Sequence, residues 1–365
     1  MRILVVFTGG TIGCPAPDLN NSQGYDNLTI SADKTYQDYF LITEFLRASS
    51  RNDIVFDTIE PLLTLSENMD TAKWNILISA LKNIDYSLYD GIIITHGTDT
   101  LSYTSSLISL FTSDIKIPVI FVSSGLSLDN PSTNGHKNFA DAVAFILLGK
   151  YYGSYVFYPD NSTETQVYLS SRVKQCAHFI HRFDSIGRVN YGMMTDGVFA
   201  LITDTANPNL LISNFNENKK LLGDFNLFSK FDISAYCLNN NVLIIIPYPG
   251  LDYSLIKPDP SKIKAVLHAT YHSSTAYADT DKNPYSLLYF QNICRDTNIP
   301  LYLAPFYNNK VNYSSTAKLL SNGISTIVDV SFESAYAKLI IAYNLFDSPA
   351  LRDSFLNSNI NFEKI

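Results

Sequence analysis

The chain has 365 residues, of which 46% are hydrophobic and only 16% charged, with a formal net charge of −8. That balance excludes a disordered or coiled-coil chain and argues against nucleic acid as the main partner. The length suffices for two domains with a substantial core.

The first element is a β-branched run over 3–7, which ends in Thr8-Gly9-Gly10-Thr11-Ile12-Gly13. It starts directly after Met1-Arg2, without the long apolar segment and small-residue cleavage site of a signal peptide, so a cytoplasmic location is expected. Residues 14–24 are rich in Pro, Asp, Asn, Ser and Gly, a loop composition, and lead to Gly24-Tyr25. Strands follow over 54–56, 92–95, 119–123, 155–158 and 198–202, with helical patterns over 74–81, 102–111 and 139–148. The strand over 92–95 runs into Thr95-His96-Gly97-Thr98-Asp99-Thr100-Leu101. Beyond a polar gap come strands over 242–246, 265–268, 301–304 and 326–328, and a helical pattern over 334–345.

Alternating strand and helix implies an α/β protein. The expected organisation is a larger N-terminal open, mostly parallel sheet domain flanked by helices (1–210), a linker (211–240) and a smaller C-terminal α/β domain (241–365). No apolar run approaches the roughly 20 residues that cross a bilayer, so no membrane partner is expected.

Small residues and hydroxyls stand at the ends of two of these strands. In open parallel sheets the carboxyl ends of strands are where ligands bind, and glycine permits close backbone approach. The two turns therefore read as halves of one site. A threonine hydroxyl such as that of Thr11 becomes a nucleophile only when a neighbour takes or holds its proton. The N–H groups of Gly9 and Gly10 are candidates for holding an oxyanion. Taken alone, Thr98 and Asp99 also suit helix capping, Ser66 through Asp70 a polar helix start, and Lys174 a solvated charge.

Thr8-Gly9-Gly10-Thr11-Ile12 and His96-Gly97-Thr98-Asp99-Thr100 together resemble the two signature motifs of the bacterial-type L-asparaginase family. Ser331-Phe332-Glu333-Ser334-Ala335 through Lys338-Leu339 resembles the C-terminal helix of its cytoplasmic type I branch. The resemblance implies hydrolysis of the side-chain amide of L-asparagine to L-aspartate and ammonia through a threonine acyl-enzyme. It makes Thr11 the nucleophile and Tyr25 a residue of a closing loop that polarises the nucleophile's hydroxyl. Thr98 and Lys174 become partners in a proton relay, and Asp99 the partner of the substrate α-ammonium. Ser66-Glu67-Asn68-Met69 matches the segment in which the serine holds the α-carboxylate and the next residue helps hold the ammonium.

The resemblance also implies a homodimer or homotetramer built from pairs that share active sites. L-glutamine is the alternative substrate. A related amidohydrolase acting on the glutamyl group of transfer RNA carries an additional N-terminal domain, for which a first motif at Thr8 leaves no room. A non-catalytic amino-acid-binding homologue is a further alternative, because some loops depart from the family pattern. These are Ser123-Ser124-Gly125-Leu126-Ser127, Asn134-Gly135-His136 and Tyr271-His272-Ser273-Ser274-Thr275.

Amide hydrolysis by this route needs no cofactor. Gly9-Gly10-Thr11-Ile12-Gly13 lacks the glycine spacing of a dinucleotide fingerprint. His178 and His181 have the spacing of a metal pair on a helix, but no third ligand is evident, so no metal is expected. The four cysteines form no close pair.

Overall fold

The computed structural model describes residues 1–13, 40–159, 164–188, 190–202, 225–307 and 313–365. Five strands, β1 (Arg2–Phe7), β2 (Val55–Ile59), β3 (Gly91–Thr95), β4 (Pro118–Val122) and β5 (Gly153–Pro159), pair in parallel in the order β2-β1-β3-β4-β5. The inner strands β1, β3 and β4 carry continuous apolar runs because both their faces are covered, whereas the edge strand β2 has no fully buried residue. Along β1, Leu4 and Val6 enter one core while Ile3 and Val5 enter the other. Likewise Ile92 and Ile94 of β3 face one side and Ile93 the opposite side. Helices α1 (Phe40–Ser49) and α4 (Gly135–Leu147) cover the face of Ile3. Helices α2 (Thr71–Lys82) and α3 (Leu101–Phe111) cover the face of Leu4.

From β1 the chain moves to β2 on one side and then returns to β3 on the other. The strand order therefore reverses between β1 and β3. In a doubly wound sheet such a reversal opens a crevice above the carboxyl ends of the two strands. Both glycine-threonine turns leave from that crevice.

Helix α3 is buried along nearly its whole circumference, including Ser102, Thr104, Ser105, Ser106 and Ser109. Ser109 donates to the Ser106 carbonyl at 2.7 Å, and Ser106 donates to the Ser170 carbonyl at 3.1 Å. These bonds satisfy hydroxyls that would otherwise be costly to bury.

The first sheet departs from the expected simple alternation. Strands β6 (Thr165–Leu169), β9 (Gly192–Thr195) and β10 (Val198–Leu201) extend it antiparallel from β5. A separate ribbon pairs β7 (Val173–Ala177) with β8 (Arg182–Ser185). Of these, only β10 matches a strand read from the sequence. In β7 only Val173 is buried, so no apolar run or alternation marks that strand. The helical spacing read for His178 and His181 is likewise corrected. Both are exposed in the turn between β7 and β8, and Phe179 and His181 have φ of 67° and 42°.

The C-terminal sheet is wholly parallel, in the order β11 (Val242–Ile245), β12 (Ala265–Ala269), β13 (Leu301–Phe306), β14 (Ser325–Val328). A short α5 (Leu227–Lys230) precedes β11, and α6 (Leu287–Asp296) and α7 (Ser314–Ser321) pack on one face. Helices α8 (Phe332–Leu345) and α9 (Pro349–Asn357) join that sheet to the core against α3. Ala265, Leu267 and Tyr302 therefore share a core with Leu4, Ile92 and Phe111. Among the described residues no helix is long and apolar enough to cross a membrane. Cys176, Cys237 and Cys294 are free thiols.

Candidate active site

Three segments converge above β1 and β3. After β1, Gly10 donates its N–H to the Thr64 carbonyl at 2.9 Å, while Thr64 donates to the Thr8 carbonyl at 3.0 Å. The Thr8 hydroxyl donates to the Thr95 carbonyl at 2.6 Å, tying the end of β1 to the end of β3. Gly10 adopts a φ of 77°, and a Cβ there would stand 2.4 Å from the Gly97 nitrogen. A Cβ on Gly97 would in turn stand 2.5 Å from the Ser66 hydroxyl. Only glycine fits at both positions, because no side chain can share that space with a neighbouring backbone. Thr11 and Thr98, the residues after these two glycines, are thereby brought to one place. Both are half-buried.

The occupied N–H of Gly10 corrects one expectation. A group already donating to Thr64 is not a donor for an oxyanion.

The Ser66 hydroxyl is the hub of the polar contacts. It donates to Asp99 Oδ2 at 3.0 Å and accepts the Asp99 N–H at 3.2 Å. The Thr100 hydroxyl donates to the Ser66 carbonyl at 2.7 Å. Thr98 and Asp99 thus do not serve as simple caps: α3 begins after Thr100, whose own hydroxyl is turned to Ser66. Asp99 is exposed, as is Glu67 on the single turn Ser66–Asn68. Asp99 therefore leaves carboxylate surface open to a ligand.

His96 lies beneath this group, fully buried. Burial pushes its imidazole down to about 4, against the opposing pull of the Gly97 carbonyl and Asp99. It is neutral at pH 7, and its Nδ1 lies 2.8 Å from the Gly97 carbonyl. A neutral ring that donates to that carbonyl holds the peptide after His96 in place without adding charge beside Asp99.

Lys174 is exposed on β7. It lines a cavity of about 630 Å³ with Glu333 and Asp329. Glu333 is buried and its carboxyl is raised by that burial, against its backbone hydrogen bonds and the nearby Lys174 charge. Two residues on, burial raises the Cys176 thiol and the charge of Asp99 adds to the effect. The ribbon thus brings Cys176 into the field of Asp99, a neighbour that the sequence did not single out. An irregularity in the β7–β8 register between Lys174 and Ala177 accompanies this arrangement. Tyr25 lies outside the described residues.

The unusual loops are ordered by local polar contacts. Asn134 accepts both the Ser124 hydroxyl and the Gly125 N–H at 3.1 Å, and Asn138 donates to the Ser123 carbonyl at 2.8 Å. These bonds hold the segment after β4, one of those that depart from the family pattern. The loop Tyr271 to Thr275 closes on itself through Tyr271 N–H to the Thr275 carbonyl at 2.8 Å; it borders both the cavity that Lys174 lines and a second one, of about 880 Å³. Among the described residues no cluster of His, Cys, Asp and Glu could hold a metal ion.

The family model Asparaginase, N-terminal matches residues 2–203, more than half of the chain and the part that carries both turns. The chain belongs to the asparaginase family. Membership places it among amidohydrolases. It is 26% identical over 309 residues to a glutamyl-tRNA(Gln) amidotransferase subunit of Methanococcus maripaludis, spanning 81% of this chain and 68% of that one. It is 31% identical over 175 residues to the L-asparaginase of Thermococcus kodakarensis, spanning 48% of each. The solved thermostable L-asparaginase from that organism has the same fold, with a TM-score of 0.73 at 22% identity over 100% of this chain and 99% of that one. A structure titled as a probable cytoplasmic L-asparaginase from Campylobacter jejuni gives a TM-score of 0.68 at 18% identity, covering 98% and 99%. The described residues therefore have the fold of these asparaginases.

Proposed function

We propose that this chain hydrolyses the side-chain amide of L-asparagine to L-aspartate and ammonia. The observation that carries the reading is the Ser66–Asp99 pair set against the Gly10–Gly97 contact. It gathers a hydroxyl, an open carboxylate and two threonines at a switch-point crevice. In this scheme Thr11 Oγ attacks the amide carbon and its proton passes to the departing nitrogen, which leaves as ammonia. Water then attacks the acyl-enzyme, returning the proton to Thr11 and releasing aspartate. Tyr25 polarises the Thr11 hydroxyl. Asp99 and Glu67 hold the α-ammonium and Ser66 the α-carboxylate. No cofactor enters, and the assembly is a homodimer or homotetramer. Ammonia release measured side by side on asparagine and glutamine tests the substrate. Release from neither overturns the reading in favour of a binding homologue.

The match to an amidotransferase subunit over 81% of the chain favours a second reading, in which the amide belongs to glutamine. The same paired assay separates it, because the preferred amide then has one more methylene.

Recognition of a free amino acid is the sharper claim. An ammonium between Asp99 and Glu67 is stabilised in its charged form, and its absence leaves carboxylates unpaired. Asp99→Asn is expected to lower kcat/KM on asparagine by roughly 100-fold with the fold intact. N-acetyl-asparagine is expected to be a very poor substrate. Equal cleavage of the acetylated and free amino acids marks the site as one for peptide amides instead.

Lys174→Met tests the proton relay. If Lys174 acts with Thr98 in the relay, kcat falls by on the order of 10²- to 10³-fold while KM stays within a few-fold. That outcome is the one the relay predicts. Normal turnover removes Lys174 from the relay and leaves it as the charge beside Glu333.

A further inference from the structure

A smaller cavity, of about 260 Å³, borders the segments that carry the Ser66–Asp99 pair, with Met69 and Thr100 in its lining. It sits where α2 and α3 meet the first strand of the C-terminal sheet and α8. Three of its walls are aromatic: Trp74, Tyr103 and Tyr336. The Tyr336 ring lies 5.8 Å from that of Tyr103 at 85° and 6.1 Å from that of Trp74 at 53°. The three rings therefore form angled walls, not a parallel stack. Met69 and Ile244 complete the apolar lining, and Asp70 stands at the exposed rim.

We propose that this cavity is a binding site for a small quaternary ammonium compound. Aromatic rings present a negative face, and several set at angles hold a cation whose methyl groups fill the apolar space between them. Such a cation carries no N–H, so it asks for no hydrogen-bond acceptors from walls that are mostly carbon. The Trp74 indole N–H is already donated to the Thr104 hydroxyl at 2.9 Å, which fixes that ring in place. Asp70 is paired with Lys73 at 2.9 Å and forms the N-cap of α2, so it contributes little net charge. The rings, not the rim, therefore carry the selectivity. The three rings have no assigned part in the amide chemistry, although Thr100, which bonds the Ser66 carbonyl, is shared with that site.

Trp74 is the only tryptophan in the chain, so its fluorescence reports on this cavity alone. Titration of the full-length protein with choline is expected to give a saturable change in that emission. The neutral isostere 3,3-dimethyl-1-butanol, equal in shape but uncharged, is expected to bind about tenfold more weakly. Tyr336→Leu should lower choline affinity by a similar factor while leaving the isostere's almost unchanged. Absence of a saturable change in the wild-type protein overturns the proposal. So does equal affinity for the charged and neutral compounds, which marks the cavity as a plain apolar pocket. The wild-type comparison needs no variant, so a misfolded Tyr336→Leu leaves the test in force.

Discussion

Thr11→Ala is expected to fold normally and to lose asparagine hydrolysis by on the order of 10⁴-fold or more. In the proposed scheme the hydroxyl removed forms the covalent bond, and no neighbour is expected to replace it. Fold retention is expected because the turn is held by backbone: the Gly10 N–H on Thr64, the Gly13 N–H on the Gly10 carbonyl at 2.9 Å, and buried Ile12 beside it. Ammonia release in a continuous assay, with circular dichroism as a fold control, gives the result. Mass spectrometry of the wild-type enzyme quenched during turnover should show an adduct on the peptide containing Thr11. Near-normal turnover by the variant takes the nucleophile's role away from Thr11.

Lys338→Met is expected to cost about 3–5 kcal/mol of stability. Lys338 and Glu363 are both fully buried and bonded at 2.6 Å, and the ammonium stands 5.5 Å from the centre of the Phe355 ring. Glu363 also accepts the N–H groups of Ile360 at 3.0 Å and Asn361 at 2.8 Å. Burial works against its charge, but Lys338 and those two donors outweigh it and hold the carboxyl below its ordinary value. The sign of the pH effect follows. A carboxyl depressed on folding adds stability above its unfolded pKa, and that stability is lost as pH falls through the lower folded value. The wild-type pair should therefore hold through mildly acidic solution.

In Lys338→Met the carboxylate keeps its burial and loses its cation, so it takes up a proton more readily on folding. The variant's deficit should then narrow as pH is lowered toward 5. Denaturant unfolding at pH 7.5 and pH 5 measures both effects. A constant deficit at the two values shows a loss of packing only. Lys338→Met combined with Glu363→Gln should recover part of the loss, because no charge is then left buried alone.

The strands over 3–7, 92–95 and 119–123 were legible because burial on both faces demands unbroken apolar runs. The helices over 102–111 and 334–345 were legible for the related reason that they lie in the core. The hydroxyls along α3 carried no such signal. Their placement depends on Ser170 and on the helix's own carbonyls, which the local sequence does not announce. Strands β6 to β9 escaped detection because they are short and antiparallel, and on β7 only Val173 is buried.

Within the site, Thr11, Ser66, Thr98 and Asp99 could be singled out because glycines and hydroxyls clustered at strand ends. The Ser66–Asp99 bond could not, since 33 positions separate the two residues. Nor could the occupied Gly10 N–H, the position of Lys174 beside Glu333, or Cys176 in the field of Asp99. A single extra residue in an edge ribbon changes which side chain faces inward, and no composition records that choice.

The sequence by itself determined that two glycine-bearing turns close two buried strands, since chain sterics and apolar periodicity are local properties. Only the tertiary structure decided that those turns meet. They meet because strand order reverses between β1 and β3, and because Gly10 and Gly97 leave no room for side chains between them. That reversal is set by which strands pair across the sheet, a long-range free-energy balance that no stretch of the chain contains.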